Sequence, residues 1–104
     1  SQTRDYIYVD DVVNAMVAAS TAPGVNGLVI NVGSGVETSI KDLIRTVMDV
    51  TDSKANVVYN AQTSAGVSSM RADLNLAKEK LRFIPSIKLS EGLRLTLQRD
   101  TRFK

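Results

Sequence analysis

The chain has 104 residues and contains neither cysteine nor histidine. Without cysteine there is no disulfide scaffold and no thiolate chemistry, a composition that suits a reducing cytoplasm. Without histidine the commonest general base and the commonest metal ligand are both missing. No stretch approaches the run of about 18 apolar residues that a membrane span needs, and no signal peptide is visible. The net charge of +2 is too small to argue for nucleic acid as a partner. The chain also lacks an initial methionine: Ser1 stands two residues before a strand-like segment, which is expected of a piece of a longer protein.

What is present is ordinary for one soluble domain, with 43% hydrophobic residues. The stretch Gly27-Leu-Val-Ile-Asn-Val-Gly-Ser-Gly35 organises the reading. Leu28, Val29, Ile30 and Val32 form a nearly unbroken apolar run, which predicts a strand buried on both faces. Gly33, Ser34 and Gly35 come next, and a helical pattern opens near Thr38 or Ser39. Strand, glycine turn and helix make the unit of a parallel α/β sheet, in which ligands gather beyond the carboxyl ends of the strands.

The remaining elements can be placed around this one. Asp5-Tyr-Ile-Tyr-Val9 is short, aromatic and β-branched, so a strand is expected. Asp10 or Asp11 is positioned to cap a helix whose apolar face is Val9, Val12, Val13, Met16 and Val17. With the Leu28–Val32 strand, this predicts a right-handed βαβ crossover. Ile40, Leu43, Ile44, Val47 and Met48 have the clearest helical period in the chain, and Ser39 with Asp42 resembles a capping box. Asn56 to Asn60 is a third expected strand, and residues 61–69 are small and polar, as in a loop. Asp73 is placed to cap a helix reaching about Leu81, which Pro85 stops. Ser90 is placed to cap a fourth helix, with Leu89 as its staple.

Four segments together carry a resemblance. Arg4-Asp-Tyr-Ile-Tyr-Val-Asp-Asp11 resembles the R-D-[FY]-[IV]-[HY]-V-x-D segment of the extended short-chain dehydrogenases that act on nucleotide sugars. Asn31-Val-Gly-Ser-Gly35 is similar to their N-[LVI]-G-[SAT]-G turn. Ala72-Asp73 followed by Ala77-Lys-Glu-Lys-Leu-Arg-Phe-Ile-Pro85 resembles the A-D-x-x-K-A…L-G-[WFY]-x-P block, and Leu89-Ser-Glu-Gly-Leu93 its L-x-E-G-L sequel. In this order, over almost the whole chain, they point to NAD-dependent epimerases and dehydratases of the UDP-glucose 4-epimerase type.

The resemblance covers the C-terminal third of such an enzyme. It implies a single C-terminal, substrate-side domain over residues 1–104, of α/β class and Rossmann type, with about three short strands and four helices. The dinucleotide-binding half is expected to be absent: Thr38 stands where the third glycine of G-x-G-x-x-G would be. The family's Tyr-x-x-x-Lys is missing too, because Asp10, Val12 and Thr63 lie four residues after Tyr6, Tyr8 and Tyr59. In the intact enzyme the resemblance implies hydride transfer between a sugar carbon and NAD or NADP, followed by return or elimination. This chain alone is expected neither to catalyse nor to hold the cofactor tightly.

The resemblance also implies site residues. Arg4 would grip the nucleotide diphosphate, since a planar guanidinium meets phosphate oxygens in pairs; the plainer alternative is a surface arginine paired with Asp5 or Asp10. The family's second diphosphate arginine, in R-x-G-[DE], has no counterpart here. Gln62 lies nearest that place, and Arg71 is the possible substitute, although it reads equally as a solvated neighbour of Asp73. The Gly33–Gly35 turn is read as a direction change before a phosphate cradle, and Asn31 as a tie to a neighbouring loop. Arg82 replaces a glycine suited to a left-handed helix end, at a cost of about 1 kcal/mol. Arg94, Arg99, Arg102 and Lys104 are read as a solvated face and tail. The expected partners are a nucleotide sugar, and either the missing N-terminal domain or a second copy of the chain. The rival reading is a catalytically silent α/β module that binds a protein through its apolar edge.

Overall fold

The computed structural model describes residues 2–57 and 68–103. Its elements run β1 (Thr3–Arg4), α1 (Val9–Thr21), β2 (Thr38–Ser39), α2 (Ile40–Thr51), α3 (Asn75–Leu81) and α4 (Leu89–Arg99), closed by a 3₁₀ turn at Thr101–Phe103. The expected four helices are present. The strands differ from expectation. β1 and β2 pair antiparallel, with Thr3 opposite Ser39 and Arg4 opposite Thr38, so the two-stranded sheet contains no βαβ crossover.

The strand expected over Asp5–Val9 falls two residues earlier, and Val9 already belongs to α1. Residues 28–32 form no ladder at all. An apolar, β-branched run is only a potential strand, because its amides and carbonyls need a neighbour to pair with. Among the described residues none is offered. Nor is the run buried on both faces: Val29 is 86% exposed. Of the third expected strand, Asn56 and Val57 are not in a strand, and the rest lies outside the described residues.

Helix α2 forms where its period and cap place it. The Ser39 side chain accepts the Asp42 amide at 3.0 Å, satisfying one orphan donor of the first turn. Helix α3 ends at Arg82, held in the left-handed region at φ 53°, the conformation for which glycine is suited. Asp73 stands one residue further out than a cap should, yet its carboxylate accepts the Asn75 amide at 3.0 Å. Ser90 does not cap α4. That helix begins at Leu89, and Lys88 occupies the capping position without a side-chain bond.

Helix α1 departs most from its sequence pattern. Neither Asp10 nor Asp11 caps it; Tyr8 precedes it and supplies no side-chain bond. Its expected apolar face looks outward, with Val9, Met16 and Val17 each more than half exposed and Val13 nearly so. The face turned inward carries Asp11 and Ala15, with Ala18, Ala19 and Ala22 following along it. Small side chains let α1 approach α3 closely, and there Ala15 meets Leu74, Ala77, Leu81 and Phe83, the buried core. Ile7, Val25, Ile30 and Val32 pack around that core half-buried. A second contact joins α2 to α4, but no residue of α2 is fully buried.

Candidate functional site

The two-stranded sheet places Arg4, and the glycine turn fixes the residue after it. The Arg4 guanidinium donates to the carbonyl of its neighbour Thr3 at 2.7 Å. The carboxylates that a surface arginine would have paired with are engaged elsewhere. Asp10 accepts from Arg99 at 2.8 Å, and Asp5 accepts from four donors. Among the described residues, the other Arg4 donors are therefore free to meet an anion.

Asp5 is the most heavily bonded side chain near this site. The Ser34 amide (2.8 Å), the Ser34 hydroxyl (2.6 Å), the Gly35 amide (2.9 Å) and the Ala72 amide (3.0 Å) all donate to its carboxylate. Burial pushes this carboxyl toward a higher pKa. The Ser34 hydroxyl and the amides of Ala72, Ser34 and Gly35 more than offset burial and hold it below its ordinary value. Gly33 makes the approach possible. A Cβ there would lie 2.6 Å from the Ala72 Cβ and 2.9 Å from the Asp5 carboxylate, too close for any other residue. Gly35 sits at φ +76°, which closes the turn.

The turn thus does gather amides around an anion, and the anion is the chain's own Asp5. With those donors taken, Gly33–Gly35 offers no free cradle for the pyrophosphate of a dinucleotide. The described residues do not fit such a cofactor at this turn, and no step of the chemistry is assigned to it.

Arg71 is exposed and lies beside Asp73 on two hollows. One, of about 350 Å³, also has Asn75 and Lys78 on its wall. The other, of about 500 Å³, is bounded by Asp5, Asn31, Gly33 and Met70. Arg4 lines neither, so the structure does not bring these two candidates into one cavity. Gln62 lies outside the described residues, shortly before Ser68, whose carbonyl accepts the Thr3 amide at 2.8 Å. Asn31 is exposed and ties down no loop among the described residues.

Three features were missed by reading along the chain. The first is the Asp5 cluster, whose partners lie 29 to 67 residues away. The second is Asp11. Only 1% exposed, it accepts from the Ser86 hydroxyl (2.9 Å), the Ser86 amide (3.2 Å) and the Ile87 amide (3.1 Å). The third is Arg99, which is no mere solvated cation. Besides its Asp10 partner it donates to the Tyr8 hydroxyl at 3.1 Å and lies 5.7 Å from that ring's centre. Arg102 pairs with Asp100 at 2.6 Å, and Lys104 lies outside the described residues. Spacing in the linear sequence carried no trace of these pairings; a carboxylate in or near an R-D-Y motif looks the same whether it faces water or amides.

Between the motif segment and the α2–α4 pair lies an apolar cavity of about 370 Å³, with Tyr6, Tyr8, Leu43, Val47, Gly92 and Leu93 on its walls. Among the described residues there is no group of carboxylates suited to a metal ion, and no helix long and apolar enough to cross a membrane.

A family model described as the NAD dependent epimerase/dehydratase family matches residues 1–33, the part that holds Arg4, Asp5 and the start of the glycine turn. UDP-glucose 4-epimerase of Mycolicibacterium smegmatis is 35% identical over 98 residues, which are 94% of this chain and 31% of that protein. The solved UDP-glucose 4-epimerase of Thermotoga maritima, in a structure with UDP-glucose, superposes with a TM-score of 0.84 at 35% identity, over 93% of this chain and 31% of that one. UDP-glucuronic acid 4-epimerase of Bacillus cereus, solved in complex with NAD, gives a TM-score of 0.80 at 28% identity, over 99% of this chain and 33% of that one. The antiparallel pair and the unladdered apolar run thus belong to a chain that superposes on about a third of these longer structures. In sequence and in fold, the chain is a relative of the NAD dependent epimerase/dehydratase family, and it spans about a third of the length of the relatives it matches.

Proposed function

We propose that this chain supplies substrate-side contacts of an NAD(P)-dependent nucleotide-sugar epimerase or dehydratase, and that Arg4 is its grip on the nucleotide diphosphate. One observation carries the reading: Arg4 is held in β1 while both neighbouring carboxylates are committed to other donors. An arginine kept from its own acids is available to an external anion, and a guanidinium suits the paired oxygens of a diphosphate. Gln62 and Arg71 are flanking contacts in this reading. Arg71 serves only if a ligand also reaches its hollows, which Arg4 does not line. The chain contains no Tyr-x-x-x-Lys, so the proton-abstracting pair of the family's reaction is not among its residues. The isolated chain is inactive in this reading.

Binding by the chain alone is weak. A charge-assisted bond is worth about 1.5–3 kcal/mol, and association costs at least about 4 kcal/mol of lost freedom. One such contact alone therefore leaves binding weaker than millimolar. Titrating UDP into ¹⁵N-labelled chain should move the signals of Thr3, Arg4 and Thr38, and Arg4→Ala should abolish the effect. Identical shifts in the two proteins would remove Arg4 from the site.

The second reading, a protein-interaction face, has its own observation. Val9, Val13, Met16 and Val17 form an exposed apolar stripe on α1, with Leu28 and Val29 also exposed. Apolar surface of this extent is usually covered. Its cover in this reading is either a companion domain of the same enzyme or a second copy of the chain.

A further inference from the structure

We propose that Asp5 is a positioning residue for Arg4: its carboxylate, by capturing the amides of Ser34, Gly35 and Ala72 at once, sets the backbone from which the diphosphate arginine projects. The inference rests on the diphosphate reading of Arg4 and deepens it. Three separate segments meet at this one side chain. They are the end of β1, the Gly33–Gly35 turn that leads into β2, and the Met70–Asp73 stretch that leads into α3. Arg4 and Asp5 are adjacent, so whatever fixes Asp5 fixes the peptide plane that carries Arg4. The strand pairing of Arg4 with Thr38 is only two residues deep, and so short a ladder does not hold register alone. The Asp5 bonds supply the missing constraint from the other side of the same peptide.

The geometry also explains why the residue must be an aspartate. Four donors converge on two oxygens, and an asparagine would turn its own NH₂ toward backbone N–H groups. The space is fixed by Gly33, whose missing side chain lets Ala72 close over the carboxylate. Deleting the side chain leaves three amides and a hydroxyl aimed at an empty place the size of a carboxylate. A small carboxylate from solution fits there, and this allows a test that ordinary destabilisation would not pass.

The experiment uses ¹⁵N-labelled wild type, Asp5→Ala, Ser34→Ala and Arg4→Ala, with inorganic pyrophosphate as the probe and formate or chloride added at equal concentration. Asp5→Ala, folded as judged by the signals of α2 and α4, is expected to bind pyrophosphate about tenfold more weakly, the scale on which outer-shell partners act at metal sites. Formate, and not chloride, is expected to restore the binding. Arg4→Ala is expected to lose binding without formate rescue. In wild type, where the place is filled, formate only competes.

Unchanged affinity in Asp5→Ala, with binding lost in Arg4→Ala, overturns the positioning role and leaves the diphosphate reading standing. If Arg4→Ala binds like wild type, the diphosphate reading fails and the amide and Nε signals of Arg4 decide the positioning role. Displacement of those signals in Asp5→Ala and their return with formate support it; unmoved signals overturn it. Should Asp5→Ala not fold, Ser34→Ala takes its place, since it removes one donor and keeps the carboxylate. A two- to threefold weakening, less than the full worth of the lost bond because the carboxylate and its three amide donors remain, then supports the proposal, and wild-type affinity overturns it.

Discussion

Asp10 and Asp11 are adjacent and identical in kind, yet their replacement should have very different effects. Asp11 is 1% exposed and collects donors from Ser86 and Ile87, in the segment between α3 and α4. Asp11→Ala removes the acceptor and leaves these donors facing an apolar methyl. Each bond to a charged group is worth about 1.5–3 kcal/mol. Because the donors share one acceptor their losses do not add. The total is taken as about 3 kcal/mol, because the donors left behind are neutral and Ser86 is exposed, so water takes up part of the loss. Against a typical domain stability of about 5–15 kcal/mol, that is a large share. Asp10 belongs to a pair with Arg99 in which both side chains are more than 40% exposed, and such solvated pairs contribute little. Urea unfolding at 25 °C, followed by circular dichroism, should place the Asp11→Ala midpoint far below that of Asp10→Ala. Thermal scans should separate the two by at least about 10 °C. Equal losses in the two variants would refute the claim that Asp11 joins the first helix to the segment leading into the fourth.

Other expectations rest on single residues. Arg82→Gly relieves a left-handed residue at φ 53° and should raise stability by up to about 1 kcal/mol, less the entropy that glycine costs the folded state; a lower urea midpoint would contradict it. Because its donors hold Asp5 below the ordinary aspartate value of 3.8, its contribution should be fully present above that value and lost as pH falls through the folded-state value. Urea midpoints measured from neutral pH downward should therefore fall more steeply for wild type than for Asp5→Ala, and parallel curves would refute this. Analytical ultracentrifugation over a wide concentration range should show the isolated chain self-associating and Met16→Glu remaining monomeric. Since Met16 is 67% exposed, that substitution should change stability by no more than about 0.5 kcal/mol. A monomeric wild type at high concentration would count against the second-copy reading.

The helices were legible because their signals are local. Ile40 to Met48 repeats at helical spacing within one segment, and Ser39 stands at its start, so the start of α2 could be placed to within about two residues. The same rule misjudged α1. Its larger apolar residues face outward, and a buried face made of alanines and one aspartate has too little contrast to register as a face. The apolar run at Leu28–Val32 names a strand by composition, but pairing depends on a partner that local sequence does not contain. The R-D-Y motif pointed to Arg4 through family resemblance alone. It could not reveal that the next residue, Asp5, spends its charge on amides far along the chain. Such long-range choices depend on which backbone the fold brings near, and no spacing encodes that.

The chain has no cysteine, yet it is stitched. Asp5 closes a loop of 67 residues onto Ala72, and Asp11 one of 75 residues onto Ser86. Closing loops this long costs entropy that grows only slowly with length. Two carboxylates can therefore hold together a chain whose buried hydrophobic core, among the described residues, is Ala15, Leu74, Ala77, Leu81 and Phe83. Unlike sulfur bridges, these stitches need no oxidant, and the one at Asp5 weakens when its carboxylate is protonated. They also set an order on folding. Neither loop can close until its distant end has been made, so during synthesis the first helix must wait, its Asp11 and Ala15 face unpacked, until Ser86 emerges. The interval before closure is then the time at which this chain is most exposed to pairing with the wrong partner.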